Sequence, residues 1–239
     1  MRLEKEPQCR KLQWDNLAIK TFMKNLLYIF ILIFLFSCST QKNIAENYTE
    51  TYSDTNNLTT IESNIVNQFL SAELEKERYK NYKGYDIFVI KEAIKKNKSI
   101  DAYLYSFNDW KSMNKIDKKG DLENKFFLDS MRIKKIKHEL EKEEVYHWKI
   151  SDFKNKKVSL YKYEELMTII NSGAYTNLQK RLIIFLSKPL IINENNALVC
   201  FNIGNGELGN SAITHFTVLM EKINGNWKDK AHYHDGVFY

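Results

Sequence analysis

Residues 181–233 read RLIIFLSKPLIINENNALVCFNIGNGELGNSAITHFTVLMEKINGNWKDKAHY. Four runs within it, 181–187, 197–203, 212–222 and 227–233, are rich in Ile, Val, Phe and Thr, and each is bounded by turn formers. The breaks are Lys188-Pro189, the cluster 193–196, a glycine loop and Asn224-Gly225. Short β-branched and aromatic runs punctuated in this way predict strands, here an antiparallel meander. Asn-Gly is the strongest two-residue hairpin signal because both turn residues of a type I′ turn need positive φ, so Ile223 should face Asn226. Counting back pairs Glu221 with Lys228, Thr217 with His232, and His215 with His234. Strand alternation then puts Phe216, Val218, Met220, Trp227, Ala231 and Tyr233 on a buried face, and His215, Thr217, His232 and His234 on the other.

Upstream, the pattern is helical. Thr59 and Glu62 have the spacing of a capping box, and Ile61, Ile65, Val66, Phe69, Leu70 and Leu74 recur at helical period, predicting a helix over about 60–81. Residues 131–144 place Ile133, Ile136 and Leu140 on one face of a charged helix. Residues 161–171 read as a shorter helix stopped by Gly173. The stretch 85–107 supports two readings: Tyr103, Tyr105 and Phe107 alternate as in a strand, whereas 92–98 suits a helix. Residues 108–124 read as a charged loop. Helices first and strands last predict an α+β domain over 61–239, with the helices covering one face of the sheet.

The N-terminal part carries an address. Residues 26–36 (LLYIFILIFLF) are the only long apolar run, and eleven residues fall short of the roughly 20 needed to span a bilayer. Lys24 precedes this run, and Ser37 and Cys38 follow it, giving the basic, apolar and small-residue order of a secretory signal. Leu35-Phe36-Ser37-Cys38 resembles the lipobox of bacterial lipoprotein precursors, departing from it only in the Phe at its second position. That resemblance implies cleavage before Cys38, acylation of Cys38, and attachment to a membrane of the cell envelope. Ser39 after the cysteine is compatible in that family with outer-membrane sorting. Residues 23–37 then form the signal peptide. Residues 1–22 read as an upstream extension, because translation from Met23 alone would give a complete signal. Residues 38–60, polar and rich in Ser, Thr and Asn, read as a flexible tether.

Composition narrows the function classes. The 239 residues are 44% hydrophobic and 13% aromatic, enough for a packed core, and the 36 basic and 30 acidic residues leave +6. Acids are interleaved with the lysine runs, as on solvated faces. A nucleic-acid groove would need a one-sided basic stripe, so no nucleic-acid partner is expected. Of the three cysteines, Cys9 lies in the extension and Cys38 is the lipidation site. Cys200 sits in an apolar run as a small hydrophobe.

Several motifs are weighed against plainer readings. Gly204 to Gly209 (GNGELG) spells the dinucleotide fingerprint, but strand-like sequence follows it where a phosphate-binding helix is required. His138-Glu139 begins a zinc-protease motif, yet Lys142 stands where its second histidine should be. His215, His232 and His234 could present three imidazoles to Zn, with an open position for water. Tyr79, Tyr82, Tyr85, Tyr103, Tyr105 and Trp110 could form an aromatic platform for a glycan, although boundary packing is the ordinary role of such residues. The expected function is a lipid-anchored envelope lipoprotein that binds a partner protein, small molecule or glycan without catalysis. The alternative is a metal-dependent hydrolase built on the three histidines. The final meander also resembles, in its strand, Asn-Gly turn and Trp strand, the sheet of cone-shaped nuclear-transport-factor-2-like domains, which implies a similar fold there.

Overall fold

A computed structural model describes residues 57–113, 126–154 and 156–236. The lipobox, Cys38, the signal peptide, the 1–22 extension and most of the tether lie outside the described residues. Residues Asp54–Tyr239 form one compact unit.

The chain opens with α1 (Thr60–Leu74), whose start is the expected capping box: Thr59 Oγ1 accepts from the Glu62 N–H at 3.2 Å, and Glu62 accepts from the Thr59 N–H at 2.8 Å. The predicted single helix to residue 81 instead ends at Leu74, and a 3₁₀ turn (Glu77–Tyr82) follows. Next come β1 (Asp86–Ile90), α2 (Asn97–Met113), α3 (Ser130–Leu140), β2 (Val158–Tyr161) and α4 (Tyr163–Ser172). The strand reading of Tyr103, Tyr105 and Phe107 is therefore overturned, and the helix runs on through the stretch read as loop as far as Met113. Ile133, Ile136 and Leu140 are the buried face of α3, as their spacing predicts. Gly173 ends α4 with φ +70°, its N–H returning to Ile169 and Ile170; that left-handed conformation suits a residue without Cβ.

Then come β3 (Arg181–Leu186), β4 (Leu190–Asn193), β5 (Asn196–Asn205), β6 (Ser211–Ile223) and β7 (Asn226–Tyr233). The sheet order is β2-β1-β3-β5-β6-β7, with β4 on the same edge of β5 as β3. The antiparallel meander is present as β3-β5-β6-β7, and β1 pairs in parallel with both β2 and β3. The molecule is α+β with a mixed sheet. The parallel half goes beyond what the hairpin resemblance implies.

The helices cover both faces of the sheet, in place of the single face expected. The cause is β5 and β6, which are apolar on both sides: Ala197, Val199, Phe201, Val218 and Met220 point one way, Leu198 and Leu219 the other. On the first face α1 packs Ile65, Val66, Phe69 and Leu70 against the sheet, with Phe69 and Phe201 ring centroids 4.9 Å apart. Fully buried Trp148 joins this core, its indole N–H donating to the Leu186 carbonyl at 3.1 Å. On the second face α2 and α3 bury Ile100, Tyr103, Ile133, Ile136 and Leu140 over Leu198, Leu219 and Tyr233. Separately, α4 buries Leu166 over Ile90 and Ile183. Two distinct apolar covers thus share one face.

Candidate functional site

The β6–β7 hairpin decides where the histidines go. Asn224 and Gly225 have φ +51° and +82°, and Ile223 faces Asn226 and Glu221 faces Lys228, as the turn predicts. The register then slips: Met220 pairs with Asp229 but Leu219 pairs with Ala231, leaving Lys230 as a bulge. Beyond it Thr217 faces Tyr233, not His232, and His232 faces Val218. One inserted residue moves everything after it to the opposite face. Ala231 and Tyr233 therefore leave the Trp227 side for the second-face core, and His232 moves to the first face.

The three histidines take separate carboxylates. His215 Nε2 lies 3.4 Å from Asp235, His232 Nε2 lies 3.9 Å from Asp229, and His234 Nε2 lies 3.3 Å from Asp109. His215 belongs to the second face, beside Asn202. The His234 backbone is held against the middle of α2, its N–H donating to the Ser106 hydroxyl at 2.8 Å and its carbonyl accepting from that hydroxyl at 3.0 Å. Among the described residues no group of three or more His, Cys, Asp or Glu could hold a metal ion. The aromatic platform is likewise divided. Tyr79 is buried in the first-face core, Tyr82 and Tyr85 pack on each other, Tyr103 is buried in the second-face core, Tyr105 packs on His234, and Trp110 on Phe126. Gly206 and Gly209 serve close packing. A Cβ on Gly206 would come within 2.4 Å of the Leu178 carbonyl, and one on Gly209 within 2.9 Å of the Tyr175 ring. The strand β6 follows this loop, as the sequence predicts.

Polar chemistry is organised differently on the two faces. On the first, Glu73 is 1% exposed and accepts from Lys76 at 2.6 Å and the Tyr79 hydroxyl at 3.0 Å. Lys76 also reaches Asp229 at 2.9 Å, and Arg78 donates to the Thr214 hydroxyl at 3.0 Å. The hydrogen bond from Lys76 holds Asp229 below the usual carboxylate range. Burial, then the hydrogen-bonded Glu73 carboxylate, drives the Tyr79 hydroxyl far above its ordinary range. Every group in this network has a partner.

On the second face, register sets two rows across the sheet. Phe185 faces Asn202, Asn202 faces His215, and His215 meets Asp235; in the next row Cys200 faces Thr217 and Thr217 faces Tyr233. The first row is half-buried or exposed, while Thr217 and Tyr233 are buried at 1%. The first row lies between the α2/α3 cover and the α4 cover, whereas the second runs in under the α2/α3 cover, to whose core Tyr233 belongs. The buried oxygens Asn202 Oδ1 and Asn210 Oδ1 make no hydrogen bond among the described residues, and Thr217 Oγ1 has the Cys200 thiol as its neighbour. Asn210 belongs to the same strip, its Oδ1 sitting where a Cβ on Gly204 would point, one strand position pair from Asn202. Burial pushes the Cys200 thiol up to about 11, partly offset by the Thr217 hydroxyl, which leaves it a poor nucleophile near neutral pH.

Neither Asn202 nor Phe185 stands out in the sequence. The signal that could have found them is the run of polar positions Cys200, Asn202, His215 and Thr217 inside otherwise apolar strands, once the β5–β6 register is known. No family model, curated protein or solved structure matches the chain.

Proposed function

We propose that this is a lipid-anchored cell-envelope lipoprotein whose globular part is a non-catalytic binding module, with its binding surface on the strip between the two helical covers. The address rests on the signal-like run 26–36 ending in Leu35-Phe36-Ser37-Cys38. Because a single acyl chain binds a membrane only marginally, stable attachment at Cys38 needs the multiple chains characteristic of bacterial lipoproteins. The outer membrane is the favoured destination, from Ser39.

The observation that carries the binding reading is the strip itself. Phe185, Asn202, Asn210 and His215 are only half-buried there, so side chains of mixed chemistry stand on a surface that neither helical cover closes. Catalysis draws little support from the same surface. The thiol is held protonated, and the three histidines that a metal-dependent hydrolase would need are each paired with a different carboxylate. Palmitate labelling in an expressing bacterium tests the address: the wild-type chain should take up label and Cys38→Ala should not. Label retained in Cys38→Ala would overturn the anchor. Zinc titration of the extracted protein should show no stoichiometric site; stoichiometric zinc lost in His215→Ala would restore the hydrolase.

A further inference from the structure

Resting on the lipid-anchor part of the reading above, we infer that the domain docks on the anionic headgroups of the bilayer that holds its anchor, through a basic and apolar patch where the chain enters the fold. The patch combines the start of α1 with residues 149–154, 156 and 157, which run beside that helix. Lys149 Nζ donates to Asn57 Oδ1 at 2.6 Å, ahead of the helix cap. Midway, the Asn67 amide donates to the Asp152 carbonyl at 2.8 Å and accepts from the Lys154 N–H at 2.6 Å. At the far end Lys156 reaches Glu75 at 3.2 Å.

Three observations select a lipid surface as the occupant. The first is charge. Residues 149–157 hold Lys149, Lys154, Lys156 and Lys157 against one acid, Asp152. The fold withdraws that acid from the surface: it is 8% exposed and accepts from the Tyr146 hydroxyl and the Lys149 N–H. Both acids of α1, Glu62 and Glu73, are also buried and ion-paired, and Glu75 takes Lys156. Lys149, Lys154 and Lys157 therefore stand exposed beside an uncharged helix surface of Thr60, Ile61, Asn64 and Ala72. The second is exposed apolar area at the chain entry, where Ile150 follows Lys149 and is 63% exposed, and Ile61, in the first turn of α1, is 46% exposed. Ammonium groups meeting headgroup phosphates while neighbouring aliphatic side chains enter the acyl boundary is the pattern of interfacial binding. A nucleic acid would leave the isoleucines unused. The third is position. Only residues 39–56 separate Cys38 from Asn57. A flexible coil of that length reaches roughly 20 to 25 Å, so acylation at Cys38 brings this end of the domain to the headgroups at an effective concentration on the order of millimolar. A weak surface suffices at that concentration. Docking there turns the second-face strip, across the sheet from α1, away from the lipid.

The test uses the full lipidated chain in phosphatidylcholine nanodiscs with and without phosphatidylglycerol, read by hydrogen–deuterium exchange. Peptides covering 57–64 and 149–157 should exchange about tenfold more slowly in the anionic discs, and added salt should reverse this. Peptides of α3, on the opposite face, should not change. The triple variant Lys149→Glu, Lys154→Glu, Lys157→Glu should lose the protection, whereas Lys134→Glu with Lys135→Glu on α3 should keep it. Ile150→Ser, a change at an exposed position that spares the fold, should reduce it by itself. Equal exchange in both discs, protection spreading to α3, or protection surviving the triple variant would overturn the assignment. So would concentration-dependent protection in detergent, the mark of a second copy on the patch. Palmitate labelling of the same preparation separates the two readings. A labelled chain without protection sinks this inference alone, and an unlabelled chain whose patch is protected by added phosphatidylglycerol vesicles sinks the anchor alone.

Discussion

The two faces of this sheet handle buried polarity in opposite ways. On the α1 face the demanding groups are satisfied: Glu73 by Lys76 and Tyr79, and Asn67 by the Ser63 and Asp152 carbonyls at 2.8 Å each and the Lys154 N–H at 2.6 Å. The buried side-chain atoms that make no hydrogen bond among the described residues, on Asn97, Ser99, Glu143, Asn202 and Asn210, belong to the other face and its covering segments. Two threonines on one strand make the contrast concrete. Thr214 turns to the first face and accepts from the Arg78 guanidinium, whereas Thr217, just as buried, turns to the second and meets only the weakly bonding Cys200 thiol. A fold that satisfies one face so fully has no general difficulty in doing so. The difference teaches that both faces carry apolar cores, and that the first ties its buried polar groups together more completely than the second.

This division can be broken most forcibly at Trp148. Its buried indole closes the first-face core and bonds Leu186, so Trp148→Ala should cost about 3 to 5 kcal/mol in chemical denaturation. Phe185→Ala on the strip should cost markedly less, because its ring is already half-exposed. Next in size, Glu73→Ala should cost about 2 kcal/mol, since it leaves the buried Tyr79 hydroxyl without its acceptor while Lys76 keeps Asp229. Equal losses at Trp148 and Phe185 would erase the distinction between the faces.

A smaller effect comes from pH. Burial, and then Lys76, hold the His232 imidazole below its ordinary value of 6.5, with Arg78 adding to this and Asp229 and Glu73 opposing it. The folded chain takes up that proton less readily than the unfolded chain. The contribution of His232 is therefore full above about pH 6.5 and is lost as the pH falls below it. Melting temperatures at pH 7 and 5.5 should show a shallower acid loss in His232→Gln than in the wild type; an unchanged or steeper loss would contradict the packing assigned to this residue.

Much of the fold is written in local sequence. The four meander strands, the capping box at Thr59, the α3 face of Ile133, Ile136 and Leu140, and the Asn224-Gly225 turn each follow from periodicity or turn chemistry within a few residues. What escaped has non-local causes. The β2 strand is four residues long and becomes a strand only by pairing with β1. Tyr103 and Phe107 alternate like a strand but lie in a helix, because the core they meet comes from Phe126, Phe127 and Tyr233, far away in the chain. The histidine site depended on one register, and the bulge at Lys230 removed it, although nothing in Lys228-Asp229-Lys230 announces a bulge. The strip was invisible for the same reason, since Phe185, Asn202 and His215 become neighbours only through pairing between three strands.

The most direct measurement compares the stability of Thr214→Val and Thr217→Val in matched denaturant titrations. The substitution has nearly the same shape at both sites, and only the satisfaction of the hydroxyl differs. Thr214→Val should lose about 1 kcal/mol or more with its Arg78 bond, while Thr217→Val should cost clearly less, because its hydroxyl meets only the Cys200 thiol, a weak hydrogen-bonding group. A Thr217→Val protein that loses as much stability as Thr214→Val would show that the second-face hydroxyl is held as firmly as the first, and would contradict the contrast drawn between the two faces.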